Sequence, residues 1–259
     1  MQGNESQENY DAQPTVNRLP AETLCQIFLV VARKRPMSRY PKQRSWFAIT
    51  QVCQFWRTVS IGYPQLWTSP NFDCDPAFTY LMIQRAKDIP LTVEFSQLRM
   101  DEEELSNILH CPGRIRSLKA CVDYLLPTWS NLFAKAASLN NLESLILQAV
   151  EKDIDPFYVE MNLVDSLNEC QSLTHIEIRD FYFSTASFPT PPHLTSLILH
   201  TVGDLYNEFL WDPFLDALEI SQNLTVLDLK HTIPYFSHSA PCDGRFVRLP
   251  HLQHLKIQD

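Results

Sequence analysis

The residues able to do chemistry in this chain are scattered in a way that argues against catalysis. Cys25, Cys53, Cys74, Cys111, Cys121, Cys170 and Cys242 form an odd set without a C-x-x-C pair. No cysteine or histidine pairs recur at metal-ligand spacing, so no metal is expected. Thiols of this kind read as reduced, mostly buried and intracellular. Of eight histidines, His251 and His254 are three apart, with no carboxylate between or beside them and no H-E-x-x-H motif. A G-x-S-x-G elbow is also missing. The five glycines (Gly3, Gly62, Gly113, Gly203 and Gly244) never cluster. A phosphate-cradling loop or dinucleotide fingerprint needs neighbouring glycines so that backbone can approach the pyrophosphate, and no such cofactor is expected. The run Asp101-Glu102-Glu103-Glu104 reads as the acidic start of a helix rather than a metal site. The expectation is a protein that is not an enzyme, with no catalytic residue and no cofactor.

The elements therefore have to be read for binding. From Leu19 to Trp67 the apolar residues are helix-spaced: Leu24, Ile27, Phe28 and Val31 fall at i, i+3, i+4 and i+7. Pro20 suits a first helical turn, and Glu22 complements the helix dipole. Val52, Phe55, Trp56 and Val59 repeat the same offsets, whereas Arg33 to Ser45, with Pro36 and Pro41, reads as a loop. Short amphipathic helices with so much aliphatic and aromatic surface should bury part of it against another protein.

Leu19-Pro20, Ile27-Phe28, Val52-Cys53, Trp56-Arg57 and Leu66-Trp67, taken in order, resemble an F-box. The Pro64-Gln65-Leu66-Trp67 tail is similar to the form common in expanded fungal F-box families. The resemblance spans about fifty residues. It implies a three-helix module docking on the Skp-type adaptor of a cullin–RING ubiquitin ligase. Leu19 and Pro20 would enter the adaptor groove, with Ile27, Phe28, Val52, Cys53 and Trp56 beside them. A long basic loop replaces the family's short acidic link between the first helices. The plainer alternative is the core of an ordinary helical subdomain.

Charge divides the chain. Residues 1–17 carry three acids and no base; Arg18 to Thr68 carries eight bases against Glu22 alone, +7; the remainder is −13, for a total of −9. Arg33, Lys34, Arg35, Arg39, Lys42 and Arg44 supply most of the basic patch, which reads either as a solvated loop or as steering toward an acidic partner. No extended basic surface for nucleic acid is indicated. No apolar run reaches membrane-span length and no signal-peptide pattern opens the chain, so no membrane role and a cytoplasmic or nuclear location are expected.

After Trp67 an L-x-x-L-x-L pattern recurs at Ile115/Leu118/Ala120, Leu142/Leu145/Leu147, Leu173/Ile176/Ile178, Leu194/Leu197/Leu199, Leu224/Leu227/Leu229 and Leu252/Leu255/Ile257. The middle residues lie 27, 31, 21, 30 and 28 positions apart. Leu91, Val93 and Phe95 read as an earlier strand. Glu104–His110 and Asn131–Leu139 read as helices capped by Asp101 and Ser130. The 21-residue interval, with Pro189, Pro191 and Pro192, reads as extended. The pattern resembles an irregular leucine-rich repeat, and F-box modules followed by such repeats form a known architecture. Phe181, Val202 and Thr232 stand where the family's Asn would follow the strand. An ordinary α/β domain is the alternative, and α/β is the fold class either way.

The expected organisation is a disordered tail over 1–16, an F-box over 17–68, a linking helix over 69–88 and leucine-rich-repeat-like units over 89–259. The last unit stops at Asp259 without a polar cap, implying further chain or a terminal interaction surface. Alternation points the second and third leucine positions inward and leaves an open face of polar and isolated apolar residues. His175, Glu177, Arg179, Ile198, His200, Asp228 and Lys230 on that face are the candidate contacts to a protein substrate, with loops or the C-terminal edge as the alternative. The combined expectation is a substrate receptor of an SCF-type ligase. The alternatives are an adaptor-bound protein acting outside ubiquitination, and a repeat scaffold capped by its helical N-terminus.

Overall fold

The computed structural model of the chain describes residues 19–33, 41–70, 76–95, 112–122, 139–149, 158–159, 167–180, 182–183, 188–200, 211–231 and 246–258. The chain divides into two compact units, Met1–Pro70 with Ala77–Ile89, and Asn71–Pro76 with Pro90–Asp259. Helices combine with a seven-stranded parallel sheet, which is an α/β composition.

In the first unit α1 (Ala21–Arg33) begins just after Pro20, whose carbonyl accepts the Leu24 amide at 3.1 Å. It buries Leu24, Phe28 and Ala32, a single i, i+4, i+8 row. The expected stripe therefore splits, because Ile27 and Val31 stay 40% and 42% exposed. A correction follows at the loop expected over Arg33–Ser45: a 3-10 segment already runs from Pro41 to Gln51, and residues 34–40 lie outside the described chain. That segment buries Trp46, Ile49 and Thr50. Helix α2 (Gln54–Ile61) starts after Val52, so Val52 is not on the helical face expected for it. Cys53 caps α2, its Sγ accepting the Trp56 amide at 3.5 Å.

The Pro64–Trp67 tail forms a 3-10 turn with proline at its start, and its Trp67 is fully buried. The Trp67 indole N–H donates to the Ser60 carbonyl at 2.9 Å. Trp46 and Phe47 lie edge-on to Trp67 at 5.4 and 5.9 Å, and the Arg85 guanidinium sits 4.4 Å from its ring centre. Arg85 belongs to α3 (Pro76–Arg85), which buries Thr79, Met82 and Ile83.

The second unit is organised by β1 (Leu91–Phe95), β2 (Ile115–Val122), β3 (Ser144–Ala149), β5 (His175–Arg179), β7 (Ser196–His200), β8 (Val226–Lys230) and β9 (His254–Gln258). These strands lie side by side in chain order, every pair parallel. A separate two-residue pairing joins β4 (Tyr158–Val159) to β6 (Tyr182–Phe183). The six leucine runs are six neighbouring strands, and Leu91/Val93/Phe95 is the seventh. Leu118, Leu145, Ile176, Leu197, Leu227 and Leu255 stand in one cross-strand row, and Ala120, Leu147, Ile178, Leu199, Leu229 and Ile257 in another. From β2 to β8 both rows are buried, at 6% exposure or less; on β9, Leu255 and Ile257 are 58% and 52% exposed.

A repeated backbone device holds the strands in register. The amides of Leu142, Leu173, Leu194, Leu224 and Leu252 close turns onto the carbonyls of Leu139, Cys170, Pro191, Ser221 and Leu249 at 2.9–3.3 Å. The next residue in each case donates its amide to its counterpart one unit earlier: Glu143 to Arg116, Thr174 to Glu143, Thr195 to Thr174, Thr225 to Thr195 and Gln253 to Thr225. The hydroxyls of Thr174, Thr195 and Thr225 donate to those same carbonyls at 2.9–3.1 Å. This ladder precedes the strands; positions 181, 202 and 232, where an Asn was sought after them, lie outside the described residues.

Helix α4 (Trp211–Ile220) buries Phe214, Ala217 and Leu218, and Phe214 meets Phe188 at 5.1 Å. The helices expected over 104–110 and 131–138 lie outside the described residues, while Leu139 is buried and non-helical. The described part of the proline-rich interval, 188–195, holds no helix. Asp180 and His231, just after β5 and β8, take left-handed backbone at φ 61° and 49°, a conformation in which Asp and His are enriched.

Candidate functional site

Two surfaces hold the residues singled out from the sequence. The first lies on the helical unit. Leu19 is half-buried, Pro20 exposed, Ile27 40% exposed and Val52 57% exposed. Phe28 is fully buried and so supports this surface from beneath. Half-buried Trp56 lies 5.1 Å from the Phe28 ring, and its indole N–H is shielded from solvent without a hydrogen-bond partner. Half-buried Cys53 acts locally as the α2 cap. Sequence reasoning passed over Val30, 52% exposed, which stands with Ile27 and Val31 at helical neighbour spacing. Its signal was present: Leu29-Val30-Val31 puts more aliphatic surface on α1 than one buried row can take. A shallow groove beside α2 is lined by Cys53, Arg57, Thr58 and Ile61 among others, and the Arg57 Nε–H donates to the Thr50 carbonyl at 2.9 Å.

The second surface is the face of the parallel sheet opposite the buried rows, where side chains alternate with buried ones along β5, β7 and β8. Register brings the candidate residues together. Arg179, His200 and Lys230 form one cross-strand row, while Glu177, Ile198 and Asp228 form the row beside it. Lys256 of β9 continues the second row opposite Asp228. His175 pairs with Ser196 in a third row.

Close polar contacts knit these rows. Arg179 Nε is 2.5 Å from Glu177 Oε1 and His200 Nε2 is 3.3 Å from Asp228 Oδ1. Neither contact has hydrogen-bond alignment, so Arg179 Nε, His200 Nε2 and Asp228 Oδ1 are shielded polar atoms without a directional partner. Lys256 Nζ reaches Asp228 Oδ2 at 3.4 Å. Burial holds the His175 imidazole below its ordinary value, against the opposing pull of Glu177, whose Oε2 is 3.8 Å from Nε2. Far along the same sheet, Lys119 Nζ pairs with Glu94 Oε1 at 2.9 Å. Glu94 and Lys256 were not among the candidate contacts; alternation along β1 and β9 was the signal for both.

This arrangement offers charges, hydrogen-bonding groups and an aliphatic side chain on an open surface. Among the described residues no group of three or more His, Cys, Asp or Glu side chains could hold a metal ion, and no helix is long and apolar enough to cross a membrane. Among the described cysteines, Cys25, Cys53 and Cys121 are half-buried and Cys170 is buried. The chain matches no family model, and neither a curated protein nor a solved structure is significantly similar to it.

Proposed function

We propose that this chain is a non-catalytic substrate receptor of an SCF-type ubiquitin ligase. Its helical unit acts as an F-box on a Skp-type adaptor, and its sheet unit, a leucine-rich-repeat-like stack, binds a protein substrate. The observation that carries the reading is the division of α1. One row, Leu24, Phe28 and Ala32, fills the unit's own core, and Ile27, Val30 and Val31 remain exposed beside it. Aliphatic side chains left uncovered on one helix face are suited to completion by a second polypeptide. The Leu19-Pro20 corner, half-buried and exposed, is accessible to the same partner. The receptor would contribute no bond-making group; it would raise the effective concentration of substrate lysines near a ubiquitin-charged enzyme.

The test is copurification with a purified Skp-type adaptor. Leu19→Ala with Pro20→Ala should abolish it, and unchanged binding would overturn the F-box reading. Ubiquitination of a captured partner, lost in that double variant, separates the ligase role from adaptor binding that serves another purpose.

A further inference from the structure

Along the open sheet face the more exposed member of each charge pair changes sign. Toward β9 the cations stand out and the acids lie low: Arg179 is 40% exposed over Glu177 at 14%, and Lys256 is 52% exposed over Asp228 at 19%. At the β1 end the order reverses, with Glu94 50% exposed and Lys119 27%. Long stems alone do not explain this, since Lys119 has the same stem as Lys256. The β5–β9 half therefore presents its cations, whereas Glu94 on β1 is more exposed than its partner Lys119.

We infer that the β5–β9 half of this face receives an acidic protein segment, whose carboxylates meet Arg179 and Lys256 on either side of His200. The inference rests on the reading of the sheet face as the recognition surface and names the chemistry of its ligand. Arg179, His200 and Lys230 stand on adjacent strands about 4.8 Å apart, so one carboxylate above His200 is within reach of its neighbours' long side chains. The Arg179 side chain is 40% exposed, so its guanidinium is open to such a carboxylate. Ile198 between Glu177 and Asp228 adds an aliphatic contact, which favours a segment alternating acidic and apolar residues. A nucleic acid is less suited, because a long polyanion would continue onto the Glu94 end and meet the −13 carried by the chain beyond Thr68.

The probe is a fluorescein-labelled octapeptide of alternating Glu and Leu, whose glutamates share one face at about 6.6 Å spacing, titrated by anisotropy against the full chain. Binding should weaken with salt and exceed that of the matching Lys-Leu peptide. Arg179→Glu with Lys256→Glu should lower affinity at least about tenfold. Glu177→Gln with Asp228→Asn, which removes the recessed acids, should tighten binding, an effect that misfolding cannot imitate. Equal binding of the Lys-Leu peptide, no loss in the charge-reversed variant, no gain in the neutralised one, or tighter binding of a single-stranded oligonucleotide of equal charge would each overturn the inference. Adaptor copurification is independent of this face, so failure here leaves the ligase reading standing and the reverse is equally visible.

Discussion

Helix α1 allows folding and docking to be separated by substitutions one residue apart. Phe28 is fully buried against Trp56, so Phe28→Ala should cost about 3–5 kcal/mol and unfold much of the helical unit. Ile27→Asp with Val31→Asp should cost less per residue than Phe28→Ala, because two-fifths of each side chain is already in water, against none of Phe28. On the proposed reading their worth is in the adaptor complex. Complete burial of an aliphatic side chain contributes about 1.5–3 kcal/mol, and some two-fifths of each remains exposed. That leaves roughly 0.6–1.3 kcal/mol per residue, or about 8- to 70-fold in Kd for the pair. Desolvation of the aspartates adds to this, so the figure is a lower bound. Biolayer interferometry on a purified Skp-type adaptor reads the affinity, and a urea titration of each variant reads the fold. A double variant that keeps the parent's urea midpoint and binds within threefold of the parent would refute the assignment of this face.

Three further outcomes follow from the sheet unit and its flanks. Leu227→Ala should destabilise by about 2–5 kcal/mol, whereas Leu255→Ala, its neighbour in the same cross-strand row but 58% exposed, should cost under about 1 kcal/mol; similar urea midpoints for the two would contradict the buried rows. Neutral His175 contributes stability that is complete above its unfolded value near 6.5 and is lost as pH falls through the depressed folded value, since the unfolded chain takes up the proton first. His175→Gln should therefore flatten the stability profile below pH 6.5, and an unchanged slope would count against a half-buried neutral imidazole. Burial, with Glu169 adding to it, pushes the Cys170 thiol up to about 11, so a thiol reagent at pH 8 should label it only after unfolding. Native labelling that matches the denatured rate would contradict its packing.

The strands were legible because their information is local. A leucine triplet with period-two alternation defines both the strand and its inward side, and the 27-, 31-, 21-, 30- and 28-residue intervals reappear as the hydrogen-bond steps from Arg116 through Gln253. The threonine ladder was available in Leu173-Thr174, Leu194-Thr195 and Leu224-Thr225, yet its hydroxyls gain meaning only once the preceding unit's carbonyl lies 2.9–3.1 Å away. Trp67 tells a similar story. In sequence the Pro64–Trp67 tail carries only a resemblance, and the structure makes its Trp67 the centre of an aromatic core.

Sequence alone determined that this chain holds stacked parallel strands with leucines inward, and a helical N-terminal piece carrying more apolar surface than it can bury. Tertiary structure decided which side of α1 that surplus occupies, because Ile27 and Phe28 are similarly apolar and it is the Leu24, Phe28 and Ala32 row, with Trp56 against the Phe28 ring, that packs into the unit. It also decided which charge of each ion pair faces solvent. Exposure at Arg179 or Glu177 depends on residues brought alongside by strand register from 20 to 50 positions away, and no local pattern encodes that.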